Sequence, residues 1–155
     1  MHRLKIYIDT SVIGGCFDDE FSEWSNKLFD EFIEGKKIAE ISETTIEELA
    51  NAPNYIKEKI NEIPDKNILF ISKDEDTEFL SSKYIELNVI SKKYINDAIH
   101  IAIAVVNKID VLVSWNFKHI VNLDRIRKYN SVNIMYGYNL LEIRNPKEVI
   151  SNEEI

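Results

Sequence analysis

Apolar positions along the chain follow two spacings that alternate. Short, nearly continuous apolar runs bounded by polar residues predict strands: LKIYI near the start, IAEIS from Ile38, ILFI from Ile68, DVLVS from Asp110 and VNIM from Val132. Between them the spacing lengthens to three and four. Phe21, Trp24, Leu28 and Phe32 form one such stripe, which predicts an amphipathic helix with its glycine stop at Gly35. TTIEELANAP predicts a short helix that ends before Pro53, because a residue preceding proline is pushed out of the helical region. A second helix restarts at that proline. Ser72 and Glu75 have capping-box spacing for a helix carrying Phe79, Leu80, Tyr84 and Leu87. NDAIHIAIAVVNK predicts a helix capped by Asn96 and buried on most sides. Alternation of strand and helix segments is the pattern of an α/β domain with a mainly parallel sheet.

Composition narrows this picture. A length of 155 residues predicts a single domain, residues 1–150, followed by a C-terminal tail over 151–155. With 45% hydrophobic residues the chain has a core to bury and no compositional sign of disorder. The formal charge of −8 excludes a protein held on nucleic acid by its overall field, so a phosphate-bearing partner needs local positive charge. Cys16, the single cysteine, has no internal disulfide partner, and the amino terminus lacks the layout of a signal peptide. A cytoplasmic location is expected. The run IAIAVV is far short of the roughly 20 residues of a membrane span, so no membrane association is expected.

The acids carry the candidate chemistry. Asp9 closes the first strand, at the carboxyl edge where ligand sites of open α/β sheets gather. It serves there either as a turn or capping residue or as part of a site. Glu48 lies in the helix after the second strand, with Glu47 as its solvent-facing competitor, and Asp97 lies in the first turn of the buried helix. Taken singly, each has an ordinary structural explanation.

Taken together and in order, the segments YIDTSVIGG, ISETTIEELA, NDAIHIAIA and DVLVSWNFKHI resemble the PIN domain family, particularly its VapC-like toxins, and VNIMYGYNLLEIRNP resembles the family's closing strand and trailing Pro segment. The resemblance implies a three-layer α/β/α sandwich with a short parallel sheet and an acidic pocket at its carboxyl edge that binds Mg²⁺ or Mn²⁺. It implies hydrolysis of RNA phosphodiester bonds by a toxin paired with a small antitoxin protein, and a homodimer. Asp9, Glu48 and Asp97 match the acidic, metal-binding positions. Asn116, in SWN, stands where many members carry a fourth acid, and is assigned to the catalytic group as a departure.

Such a grouping has a physical logic. Carboxylates held together repel, so that one retains a proton unless a cation relieves the conflict. Mg²⁺ takes oxygen ligands, typically one or two carboxylates with waters and phosphate oxygens, so Asp9 and Asp97 suffice as direct ligands while Glu48 binds a second ion or orients water. Asn116 removes one negative charge from that second position.

The remaining residues are read more plainly. Asp110, a strand's length from Ser114, belongs at the opposite sheet edge. Asp18, Asp19 and Glu20 read as a solvated loop, and His100 as a hydrogen-bonded core residue. His119 has better access to a substrate; with Lys118, Arg125, Arg127 and Lys128 it forms either a solvated, basic helical face, the preferred reading, or local positive charge near a substrate's phosphates, and Trp115 either packs in the core or stacks on a base. One cysteine and three scattered histidines exclude a structural zinc site, and no phosphate-binding glycine loop or nucleophile elbow is present. Two other readings stay open: a catalytically weakened PIN-like module that binds RNA or protein, and an aspartyl-phosphate phosphatase. The latter chemistry places a second acid two residues after the first, where this chain has Ser11.

Overall fold

The computed structural model describes residues 2–151. The expected tail over 151–155 lies, apart from Ser151, outside the described residues. The five strands are β1 (Lys5–Ile8), β2 (Ile38–Ser42), β3 (Ile68–Ile71), β4 (Val111–Val113) and β5 (Glu142–Arg144). All pair in parallel, in the order β3-β2-β1-β4-β5. Helices α1 (Thr10–Gly15) and α2 (Ser22–Ile33) join β1 to β2, and α3 (Glu43–Leu49) and α4 (Asn54–Lys59) join β2 to β3. Helices α5 (Glu75–Glu86) and α6 (Ile95–Val106) lead to β4, α7 (Leu123–Met135) leads to β5, and α8 (Pro146–Val149) follows.

Parallel strands need crossover helices, and those helices cover both faces of the sheet. One core joins Tyr7, Leu112 and Ile143 to Leu80, Ala102 and Tyr129 of α5, α6 and α7. The other joins Ile6, Ile41 and Val113 to Leu28, Phe32 and Leu49 of α2 and α3. The result is the expected three-layer α/β/α sandwich. Among the described residues no helix is long and apolar enough to cross a membrane.

Three expected details are corrected. VNIM ends α7 instead of forming a strand, because Tyr129, Val132 and Asn133 share the buried face at helical spacing; the closing strand is the three-residue EIR. Asp74, not Ser72, caps α5 by accepting from the Thr77 amide at 2.9 Å. Asn96 does not cap α6, whose first turn continues a 3₁₀ turn over Lys92–Tyr94 capped by Ser91.

The strand order fixes the position of the site. Chain growth from β1 through β3 moves in one direction, and β4 then returns to the other side of β1. The crevice at the carboxyl ends of β1 and β4 is therefore the switch point of the sheet, where open α/β folds take ligands. Ile8 pairs with Val113, so Asp9 and Ser114 leave the sheet level with each other.

Candidate active site

Asp9 both caps and lines the site. Its carboxylate takes the Val12 amide at 3.3 Å, as N-cap of α1, and Oδ1 also takes the Ser11 hydroxyl at 2.6 Å. Oδ2 takes the Ser114 hydroxyl at 2.5 Å. An ionised carboxylate has about four acceptor positions, so one on Oδ2 stays open. The two serines are anchored in turn: the Trp115 amide donates to Ser11 Oγ at 2.9 Å and the Asn116 amide to Ser114 Oγ at 2.9 Å. Burial pushes the Asp9 carboxyl up, and the field of His100 with the donors from Ser11, Ser114 and Val12 only partly reverses it.

Glu48, on α3, accepts through Oε1 from Thr10 at 3.0 Å and shares a 2.5 Å contact with His100 Nε2. Burial pushes its carboxyl up, but the bond and field of His100 and the Thr10 bond outweigh burial and hold it below the ordinary value. Glu47, its competitor, points to solvent and pairs with Lys73 at 3.3 Å.

Asp97 sits in the first turn of α6, where the helix dipole favours an anion. Burial nevertheless dominates. With the charges of Asp9 and Glu48 adding to it, against the His100 field and the Asn116 bond, the carboxyl rises to about 6. Asp97 thus feels the charges of two acids that lie on other elements. Asn116 Nδ2 donates to Asp97 Oδ2 at 3.3 Å, while Asn116 Oδ1 takes the Lys118 amide at 3.2 Å and the His119 amide at 3.0 Å.

Sequence reasoning missed the supporting hydroxyls of Tyr7, Thr10, Ser11 and Ser114. Their signal was adjacency: Tyr7 lies two residues before Asp9, on the same strand face, and the others flank strand ends. His100 is the buried, bonded histidine expected. His119 is not accessible: it is 8% exposed, with its ring against Tyr94 at 3.9 Å. Trp115 is a core residue, stacked on Phe21 at 4.2 Å and donating to Ser25 Oγ at 2.8 Å. Asp110 sits at the opposite edge, accepting the Lys5 amide at 2.8 Å, and Asp18, Asp19 and Glu20 are exposed.

Among the described residues no three His, Cys, Asp or Glu side chains form a ready-made metal cage. The donor chemistry still suits Mg²⁺ or Mn²⁺, which need only one or two carboxylates besides waters and phosphate oxygens. Asp97 Oδ1, Glu48 Oε2 and one position on Asp9 Oδ2 accept no hydrogen bond from the described residues.

Comparison with known proteins agrees with this geometry. The PIN domain family model matches residues 6–120. No curated protein sequence matches. Among solved structures, VapBC2 from Rickettsia felis bound to a promoter DNA fragment superposes with a TM-score of 0.59 at 15% identity, covering 92% of this chain and 98% of that one. FitAcB from Neisseria gonorrhoeae superposes at 0.58 and 15% identity, covering 93% and 99%. FitAB bound to the IR36 DNA fragment gives 0.57 and 14%, covering 96% and 99%. At these identities the structures establish the shared fold. The family match spans most of the chain and runs from the first strand through the segment after β4, and on that basis the chain belongs to the PIN domain family.

Proposed function

We propose that this chain is a metal-dependent endoribonuclease, the toxin of a toxin–antitoxin pair acting in the cytoplasm. The observation that carries the reading is that the exit of β4 ties two of the acids together, Ser114 donating to Asp9 at 2.5 Å and Asn116 to Asp97 at 3.3 Å. Asp9 at the end of β1, Glu48 on α3 and Asp97 on α6 would form one negative nest that a hard divalent cation neutralises.

Asp9 and Asp97 would hold Mg²⁺ or Mn²⁺, with Glu48 at its margin or at a second ion. When bound, such an ion lowers the pKa of its water and offsets charge on the phosphate oxygens. Glu48, kept anionic by His100 and Thr10, presents its open Oε2 to orient the attacking water and take its proton. Asn116 holds Asp97 Oδ2 and leaves Oδ1 free for a cation. The hydroxyls of Ser11 and Ser114 fix the Asp9 carboxylate.

The substrate is RNA, and a small antitoxin covers the acidic pocket with its tail. Membership of the PIN domain family and the fold shared with VapBC2 and FitAB support that partner. The homodimer implied by the family is proposed with it, and sedimentation of the purified protein tests it. Incubation with single-stranded and structured RNA in Mn²⁺, Mg²⁺ or chelator tests the activity: metal-dependent cutting that is lost in Asp97→Asn supports it.

One observation favours a second reading. A neutral amide fills the place of the fourth acid, with its oxygen pinned to two backbone amides and so turned from any cation. A module that binds RNA without cutting it would show as bound, intact RNA under every metal condition.

A further inference from the structure

We infer that His100 is a positioning residue, which aims Glu48 from beneath the acidic pocket through a chain of buried polar groups running from Ser42 through Tyr7. The inference rests on the nuclease reading for its purpose, but not for its geometry. His100 is 1% exposed and cannot touch a substrate. Its two ring nitrogens nonetheless make separate short contacts, Nε2 with Glu48 Oε1 at 2.5 Å and Nδ1 with Tyr7 Oη at 2.5 Å. Tyr7 Oη lies 2.7 Å from Ser42 Oγ, which accepts the Thr45 amide at 3.4 Å as N-cap of α3.

The proton directions follow from the donor inventory. Glu48, held as an anion, only accepts, so Nε2 carries a hydrogen and donates it. Nδ1 and the Tyr7 hydroxyl share the second hydrogen bond of the ring, and the Tyr7 and Ser42 hydroxyls share the next. Every member has a partner, and the chain links the three elements that carry the acids: β1 with Tyr7 and Asp9, α3 with Glu48, and α6 with Asp97 and His100. Tyr7 and Asp9 share one strand face, and His100 follows Asp97 by almost one helical turn.

The consequence falls on Glu48. Thr10 and His100 together occupy both acceptor positions of Oε1, so the carboxylate cannot rotate without losing two bonds, and Oε2 keeps its acceptor positions open. A glutamate with three free torsions becomes a fixed acceptor beside Asp97. Partners that stand behind a metal-site carboxylate in this way typically carry about 10- to 100-fold of affinity or activity.

Two measurements on the intact chain test this. In long-range ¹H–¹⁵N spectra of the metal-free protein, His100 is expected to carry its hydrogen on Nε2, with a far-downfield proton that returns to the ordinary range in Glu48→Gln. A ring bare at Nε2 overturns the proposal, whether or not the protein cuts RNA. In RNA cleavage, His100→Leu is expected to lower kcat about 10- to 100-fold with KM nearly unchanged. Because both changes disable one group, the double variant with Glu48→Gln should lose no more than Glu48→Gln alone. Fully additive losses overturn the proposal. Should His100→Leu fail to fold, Tyr7→Phe, which preserves volume, is expected to lower kcat in the same non-additive way, and unchanged kcat in Tyr7→Phe overturns it. Wild-type protein that leaves RNA intact defeats the nuclease reading alone, and the spectra still decide the clamp.

Discussion

Asn116 donates to Asp97 through its amide nitrogen at 3.3 Å, while its amide oxygen is taken by the backbone amides of Lys118 and His119. Residue 116, which the resemblance matches to a fourth acid, is thus a donor to a carboxylate instead of an added charge. Asn116→Asp keeps the acceptor for the two amides and adds the missing charge beside Asp97. It should tighten Mn²⁺ binding by about tenfold, or about 1.4 kcal/mol, measured by titration calorimetry. Unchanged or weaker binding contradicts this role for residue 116.

Asp97 also leaves a signature on stability. Its folded pKa of about 6 lies above its ordinary value of 3.8. The stability it contributes is therefore fully present below about 3.8 and is lost as pH rises through about 6. Asp97→Asn should match the wild type near pH 3.5, and above pH 6 it should be the more stable in metal-free buffer. The expected gain, discounted for partial exposure, is about 1 kcal/mol, or about 3 °C in Tm. Thermal melts across pH 4–8 check it, and parallel curves would contradict it.

A second buried charge behaves oppositely. Lys37 Nζ lies 2.6 Å from Glu31 Oε1, and the amide of Ser151 donates to both oxygens of Glu31. Burial pushes the Glu31 carboxyl up, but the bonds from Lys37 and Ser151 hold it below its ordinary value of 4.5. Its contribution is present above about 4.5 and is lost as pH falls through its depressed folded value. Lys37→Met strands that charge and should cost about 3–5 kcal/mol at pH 7, read from urea unfolding. A loss under 1 kcal/mol would show that the pair is replaceable.

The two adjacent glycines after β1 should respond differently. A Cβ at Gly15 would meet Ser25 Oγ at 2.7 Å and Trp115 Nε1 at 2.8 Å, whereas at Gly14 it meets nothing within 4 Å. Gly15→Ala should cost about 1–3 kcal/mol through overpacking. Because the Trp115 amide holds Ser11 against Asp9, it should also slow RNA cleavage. Gly14→Ala should be neutral or stabilising by about 0.5 kcal/mol. Equal melting temperatures for the two variants would contradict the packing argument.

The elements that a sequence reveals best are those set by strong local patterns. The first four strands, the stripe from Phe21 to Phe32 and the buried helix around Ala98–Val105 were all legible, since each rests on an unbroken run or a clear period. α7 was not. Its buried face includes Asn133, which the Tyr84 hydroxyl satisfies from another helix, so a polar residue stands where the pattern demands an apolar one. β5 has three residues, too few to show a period. At the candidate site, Asp9, Glu48, Asp97 and Asn116 were picked out by their order along the chain and their match to a family pattern. Their supports were not, because a hydrogen bond such as Ser114 to Asp9 joins residues 105 apart and depends on the register of β1 with β4.

In the proposed nuclease, Asp9, Glu48 and Asp97 form one negative pocket built for a hard divalent ion. Anomalous diffraction from crystals soaked in Mn²⁺ tests it most directly. The expected result is a peak between Asp9 and Asp97, bonded to at least one oxygen of each and absent in Asp97→Asn. Crystals in which Mn²⁺ binds elsewhere, with both carboxylates still held only by their present donors, would contradict it.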